Sequence, residues 1–124
     1  MKIMSVDDSR MIRKIIRGAV DMIGHDFLEA ANGQEALDLL EENYRDTGLI
    51  LLDWNMPVLD GISTLRKLKA DDRLSSIPVM MLTTEAEKER IAEAMEAGAE
   101  HYMAKPFTPE DLMIEIMNCL DDAA

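Results

Sequence analysis

The stretch LILLDWNMPVLDG, residues 49–61, decides the fold. It begins with four consecutive apolar residues, Leu49 to Leu52, and this run ends at the carboxylate of Asp53. An apolar run without alternation is typical of a strand covered on both faces, as in a parallel sheet between helices. In such sheets, ligands bind outside the carboxyl ends of the strands. The stretch therefore predicts a parallel sheet with Asp53 at the mouth of a site.

Short apolar runs alternate with amphipathic stretches five times along the chain, which is the pattern of repeated βα units. The predicted strands cover residues 3–6, 27–30, 49–52, 79–82 and 101–104. The predicted helices cover residues 12–23, 34–42, 61–70 and 85–97, and a fifth begins at Pro109 after the cap Thr108. Gly98 is the natural stop of the fourth helix. We therefore expect an α/β fold, a doubly wound five-stranded parallel sheet with five helices.

Composition limits the classes of function. The 124 residues, 48% of them hydrophobic, are enough for one domain with its own core. A net charge of −12 argues against binding to nucleic acid or to an anionic membrane. The sequence shows no signal segment and no membrane-spanning stretch, and its single Cys119 suits a reducing compartment. We expect a cytoplasmic monomer with one domain, residues 1–124, and no output domain.

Three carboxylates follow predicted strands: Asp7 and Asp8 follow the first strand, and Asp53 follows the third. If these two strands are neighbours, the acids converge, and their mutual repulsion requires a compensating cation. Oxygen ligands with room for water favour Mg²⁺ over zinc. Taken alone, Asp7 and Asp8 are equally well explained as a turn and a helix cap.

Cationic and hydroxyl groups follow the fifth and fourth strands. Lys105 directly precedes Pro106, and because proline favours an extended predecessor, Lys105 should continue its strand. The bond between them is also a candidate for the cis form. Thr83 and Thr84 offer hydroxyls at the same edge, although either one could simply end a strand or cap a helix. With the acids, these groups are the equipment for phosphoryl transfer onto a carboxylate, with Mg²⁺ and Lys105 neutralising charge.

The motifs VDDS (6–9), LLDWNMP (51–57), DG (60–61), LTT (82–84) and KPF (105–107) stand in the order and approximate spacing of response-regulator receiver domains. The chain resembles that family over its whole length, and within the family it is most similar to the single-domain regulators of chemotaxis. The resemblance implies a flavodoxin-like fold with the strand order 2-1-3-4-5. Asp60 and Gly61 also read as a turn and cap for the third helix.

The resemblance implies a role for each residue of the acidic site. Asp53 matches the phosphorylated aspartate, and Asp8 matches the direct Mg²⁺ ligand. Asp7 matches the acid that reaches the metal through water. Asn55 matches the position whose backbone carbonyl completes the protein ligands. Lys105 matches the lysine that contacts the aspartate and its phosphoryl group.

The resemblance also implies switch and rate-modulating residues. Thr83 matches the switch hydroxyl, and Tyr102 matches the aromatic side chain that moves with it. Asn55 and Glu85 match two variable positions that flank the phosphoryl group. Thr84 departs from the family, which usually has a small residue there, and its bulk or hydroxyl can alter access to Asp53.

The family resemblance implies a phospho-acceptor switch that catalyses its own phosphorylation and dephosphorylation and is not otherwise an enzyme. Its partners would be a histidine kinase of the chemotaxis type and a target such as a flagellar motor switch component. The face of helix four, strand five and helix five would contact that target.

Two other functions are open. A phosphorelay intermediate would pass the phosphoryl group to a histidine phosphotransfer protein. An Mg²⁺-dependent phosphohydrolase of the haloacid-dehalogenase type also uses an Asp nucleophile. That class favours a second Asp two residues after the nucleophile, and the presence of Asn55 there disfavours it.

Overall fold

Five parallel strands form a single sheet in the computed structural model, which describes residues 1–123. The strands are β1 Lys2–Val6, β2 Asp26–Ala30, β3 Thr47–Asp53, β4 Val79–Thr83 and β5 His101–Ala104. Their order is β2-β1-β3-β4-β5, and all neighbouring pairs are parallel. The predicted α/β fold and strand order are confirmed. Because the order reverses between β1 and β3, a crevice is expected at the carboxyl ends of these two strands.

Helices cover both faces of the sheet. They are α1 Arg10–Met22, α2 Gly33–Asn43, α3 Gly61–Ala70, α4 Ile91–Glu96 and α5 Pro109–Ala123. Alternate residues of a strand face opposite sides. Leu49 and Leu51 accordingly pack against α1 and α5, whereas Ile50 and Leu52 pack with α2, α3 and α4. The buried thiol of Cys119 lies in the core between the sheet and helices α1 and α5. Among residues 1–123, no helix combines the length and apolar character needed to cross a membrane.

The predicted caps and stops are present at three helix ends. The side chain of Asp60 accepts the backbone N–H of Ser63 at 2.9 Å at the start of α3. Thr108 accepts the N–H of Asp111 at 3.1 Å at the start of α5. Gly98 follows α4 with a φ of 113°, a conformation that favours glycine.

The prediction of one continuous helix over residues 85–97 is wrong. Glu85–Arg90 forms a 3-10 helix, and only Ile91–Glu96 is α-helical. The first turn begins with a capping box between Thr84 and Glu87, and the Glu87 side chain is buried instead of facing solvent. This inward contact accompanies the tighter 3-10 winding, which is frequent at the start of a helix.

The loops at the carboxyl edge of the sheet have a specialised backbone. The Lys105–Pro106 bond is cis, as the sequence suggests. In the loop between β3 and α3, Val58 has a φ of 67°, which is strained for a β-branched residue. The same loop turns back so closely that a Cβ on Gly61 would lie 2.1 Å from the carbonyl oxygen of Asp53. Only glycine fits there, so the chain after Asp53 is held against the end of its own strand.

Candidate functional site

Three strand ends bring two acids and one lysine together. Asp7 follows β1, Asp53 ends β3 and Lys105 follows β5. The Nζ atom of Lys105 lies 3.0 Å from Oδ2 of Asp7 and 3.0 Å from Oδ1 of Asp53. The backbone N–H of Lys105 donates to the carbonyl of Thr83 at 2.7 Å, so Lys105 extends β5 as expected. From that position its long side chain reaches across the end of β4 to the two carboxylates.

Burial sets the ionisation of this group. Desolvation raises the pKa of Asp53, and the carboxylate of Asp7 raises it further, whereas the ammonium of Lys105 and the N–H of Trp54 oppose the rise. Burial alone would lower the pKa of Lys105, but the carboxylates of Asp53 and Asp7 outweigh this effect and raise it. Lys105 is therefore held in its charged form, whereas its ammonium compensates the desolvation of Asp53 only in part.

The acidic cluster fits a hard divalent cation. One carboxylate oxygen from each of Asp7, Asp8 and Asp53 lies within 4.8 Å of the others. Asp7 and Asp53 are buried, and Asp8 is exposed, so the cluster opens to solvent on one side. Lys105 compensates only one of the three negative charges. An all-oxygen donor set with excess negative charge and access for water is the chemistry that Mg²⁺ requires.

Thr83 is held by a contact that the sequence analysis misses. The indole Nε1 of Trp54 donates to Oγ1 of Thr83 at 3.1 Å, and both side chains are buried. The guanidinium of Arg90 lies over the Trp54 ring, 4.6 Å from its centroid. Because the Thr83 oxygen accepts the indole bond, its own hydroxyl hydrogen stays available for another acceptor. A buried tryptophan usually needs a hydrogen-bond partner for its N–H. The presence of Trp54 beside Asp53 is therefore the sequence signal for this contact, and it does not identify the partner.

Glu87 belongs to the site as well, and the sequence analysis misses it. Its Oε1 accepts the backbone N–H and the Oγ1 hydroxyl of Thr84, both at 2.9 Å. Its Oε2 accepts Nδ2 of Asn55 at 2.6 Å. The T-x-x-E pattern from Thr84 to Glu87 is a capping-box signal that could have located the first contact. The second contact joins residues that are 32 positions apart, and sequence spacing does not reveal it.

Tyr102 and Glu85 lie outside the acidic cluster. Tyr102 stands on β5 with 51% of its surface exposed, and Glu85 is exposed at the start of the 3-10 helix. A cavity of about 160 Å³ separates the loop after β4 from β5, and Thr83, Ile91 and Tyr102 are among the residues that line it. An aromatic ring at position 102 therefore borders a partly open cavity beside Thr83.

Comparisons with known proteins place this geometry in context. The family model of the response regulator receiver domain matches residues 3–117. Chemotaxis protein CheY1 of Helicobacter pylori (strain J99) is 42% identical over 113 residues, which cover 90% of this chain and 90% of that protein. The chemotaxis protein CheY homolog of Campylobacter jejuni is 40% identical over 121 residues, covering 97% of this chain and 92% of that protein.

A solved structure shows the same fold. The chemotaxis response regulator CheY4 of Vibrio cholerae superimposes with a TM-score of 0.88 at 32% sequence identity. The match covers 96% of this chain and 98% of that one. The flavodoxin-like architecture inferred from the sequence is therefore confirmed.

The geometry of the acidic cluster predicts that Asp8→Ala weakens Mg²⁺ binding. The substitution removes one oxygen ligand and one negative charge, and we expect the dissociation constant to rise about tenfold or more. Titration followed by the fluorescence of Trp54, which adjoins Asp53, measures this change. Relief of carboxylate repulsion should also make the metal-free variant more resistant to urea. Asp72→Ala, which removes an exposed acid in the loop after α3, is the charge-matched control. Equal Mg²⁺ affinity in Asp8→Ala and the unsubstituted protein would exclude Asp8 as a ligand.

Proposed function

The chain belongs to the response regulator receiver domain family, and on that premise we propose that it is a phospho-acceptor switch whose Asp53 takes a phosphoryl group from a histidine kinase. One observation carries this proposal: the ammonium of Lys105 lies 3.0 Å from a carboxylate oxygen of Asp53, beside two further acids. A nucleophile, a fixed positive charge and a cation-binding cluster thus share one edge of the sheet.

Asp53 acts as the nucleophile in this proposal. One of its carboxylate oxygens attacks the phosphorus of the phosphohistidine, the P–N bond breaks, and the imidazole leaves with the electron pair and takes a proton. The phosphoryl group passes as an anion to a residue that is already an anion, so the barrier depends on compensation of negative charge. Lys105 supplies one such charge at a fixed position and, once the group has arrived, contacts its oxygens.

Asp8, Asp53 and the backbone carbonyl of Asn55 would hold Mg²⁺, and Asp7 would reach the metal through water. When bound, the metal neutralises charge on the phosphoryl oxygens. The acidic cluster supports this assignment, because its three carboxylates converge and Lys105 leaves two of their charges uncompensated. Asn55, Thr84 and Glu85 would modulate how fast the phosphoryl group enters and leaves.

The switch is proposed to begin at Thr83. A phosphoryl group brings about two negative charges and three acceptor oxygens to the sheet edge. The hydroxyl hydrogen of Thr83, which the indole bond from Trp54 leaves free, can donate to one of these oxygens and draw the loop after β4 inward. Tyr102 would then turn from its half-exposed position into the adjoining cavity of about 160 Å³. The surface formed by α4, β5 and α5 would change accordingly.

Chemotaxis is the proposed setting, since the relatives from Helicobacter pylori and Campylobacter jejuni bear chemotaxis names. The proposed partners are a chemotaxis-type histidine kinase and a target such as a component of the flagellar motor switch. The face of α4, β5 and α5 suits such a target, because it exposes apolar side chains that include Tyr102, Ile114 and Met117.

The proposed nucleophile predicts the behaviour of Asp53→Asn. With Mg²⁺ and acetyl phosphate, the unsubstituted protein should gain a single hydroxylamine-labile phosphoryl adduct, measured by intact-mass spectrometry. The asparagine variant should gain none, because its amide cannot form the acyl phosphate. An adduct of the same stoichiometry in Asp53→Asn would refute the assignment.

The proposed switch predicts that Thr83→Ala separates phosphorylation from signalling. Asp53 should still accept the phosphoryl group, but target affinity should rise much less on phosphorylation, because a ligand shifts a switch only through its differential contacts with the two states. Thr83→Ser keeps the hydroxyl and should retain much of the rise. Binding of the beryllofluoride-treated proteins to the target measures the difference. A full affinity gain in Thr83→Ala would contradict the coupling.

A further inference from the structure

We propose that Glu87 is a positioning residue that holds the side-chain amide of Asn55 away from Asp53 and thereby shortens the lifetime of the phosphoryl group. This inference rests on the proposed function. The carboxylate of Glu87 lies outside the acidic cluster, and the mechanism proposed above does not use it. Its basis is one buried side chain that joins the 3-10 helix after β4 to the loop after β3.

The burial of Glu87 is the first observation. Its surface is only 6% exposed, yet within residues 1–123 none of the ion pairs includes this carboxylate. Burying an anion without a cation is unfavourable unless hydrogen bonds satisfy it. Three donors from Thr84 and Asn55 do so at 2.6–2.9 Å. Bonds to an ionised acceptor are stronger than neutral ones, so these contacts hold their donors firmly.

Helix capping does not account for the contact with Asn55. A capping box needs only the reciprocal bonds between Thr84 and Glu87, and a solvent-exposed glutamate can make them. Here Oε1 takes both bonds from Thr84, which leaves Oε2 directed to Asn55. The hydroxyl of Thr84, at the position where the chain departs from the family, therefore helps to aim the carboxylate. The pair holds the loop after β3 against the loop after β4.

The bond fixes a side chain that would otherwise be mobile. Asn55 is exposed and lies two residues after Asp53, and an exposed side chain normally samples several rotamers. A free amide at this distance can turn over a phosphoryl group on Asp53, donate to its oxygens and obstruct water. With its Nδ2 atom held by Glu87 at 2.6 Å, the amide is directed to the neighbouring 3-10 helix instead. The approach to the phosphorus stays open.

Hydrolysis is the step that this arrangement affects. A water oxygen attacks the phosphorus, the bond between phosphorus and the Asp53 oxygen breaks, and the carboxylate leaves with the electron pair. The water loses its proton to solvent, and the products are inorganic phosphate and the free Asp53 carboxylate. Glu87 makes no contact with the reacting atoms in this account and acts only through Asn55.

The test compares the rate of phosphoryl loss in a double-mutant cycle. The unsubstituted protein, Glu87→Ala, Asn55→Ala and the double variant are phosphorylated with acetyl phosphate and Mg²⁺ and freed of donor, and the adduct is followed by intact mass. Glu87→Ala should lengthen the half-life about threefold or more, the factor expected for one hydrogen bond of ordinary strength. In the Asn55→Ala background, the same substitution should have no further effect.

Two further variants separate position from charge and from fold stability. Glu89→Ala removes an exposed acid from the same 3-10 segment and should leave the half-life unchanged. Glu87→Asp keeps the charge but is one methylene shorter, so it withdraws the carboxylate from Asn55 and should lengthen the half-life as Glu87→Ala does. If Glu87→Ala does not fold, Glu87→Asp takes its place in the cycle.

The outcomes distinguish failure of the positioning role of Glu87 from failure of the proposed phospho-acceptor function. An unchanged or shorter half-life in the folded Glu87 variants would overturn the positioning role. Equal lengthening with and without Asn55 would overturn it as well, because the effect would then not pass through the amide. If the unsubstituted protein takes up no phosphoryl group at all, the proposed function itself fails.

Discussion

The ammonium of Lys105 between the carboxylates of Asp7 and Asp53 is the interaction on which the rest of the site depends. It joins the ends of β1, β3 and β5 across the end of β4, with both Nζ–oxygen distances at 3.0 Å. Without it, two buried acids would face one another uncompensated, and such an arrangement is strongly unfavourable. The ammonium of Lys105 therefore opposes the rise that burial and Asp7 cause in the pKa of Asp53. In the proposed mechanism, the carboxylate of Asp53 receives the phosphoryl group.

The alternation of side chains along the strands places the charged residues of the site and the proposed switch residues on opposite sides of the sheet. Asp7, Asp53 and Lys105 continue the side of the sheet that packs on α1 and α5. Thr83 and Trp54 continue the opposite side, where the indole N–H reaches the threonine hydroxyl. Since Trp54 directly follows Asp53, the two sides meet at one peptide unit. A change on Asp53 thus adjoins both the charge cluster and the residue proposed to start the switch.

Much of the fold was accessible from the sequence because its pattern is local. Short apolar runs mark the five strands, Thr108 marks the start of α5, and Gly98 marks the end of α4. The strand order came from the family resemblance, since hydrophobic periodicity does not specify which strands are neighbours. The convergence of Asp7, Asp8 and Asp53 followed once that order was assumed.

The remaining features depend on contacts between distant segments. The split of the predicted fourth helix accompanies the burial of Glu87. The segment EAEKER is highly charged, and its sequence does not predict that burial. The bonds from Trp54 to Thr83 and from Asn55 to Glu87 join residues 29 and 32 positions apart. Such contacts depend on how two loops pack at the sheet edge, and only tertiary structure fixes that packing.

The central claim is that Asp53 accepts the phosphoryl group beside Lys105 and a metal held by Asp8. A crystal structure of the chain with Mg²⁺ and beryllofluoride tests it most directly. We expect the beryllofluoride group to be bound to the Asp53 carboxylate, and the Lys105 ammonium to contact that group. The metal should lie about 2.0–2.1 Å from oxygens of Asp8, Asp53 and the Asn55 carbonyl. Beryllofluoride on another side chain, or a metal bound away from Asp8 and Asp53, would contradict the account.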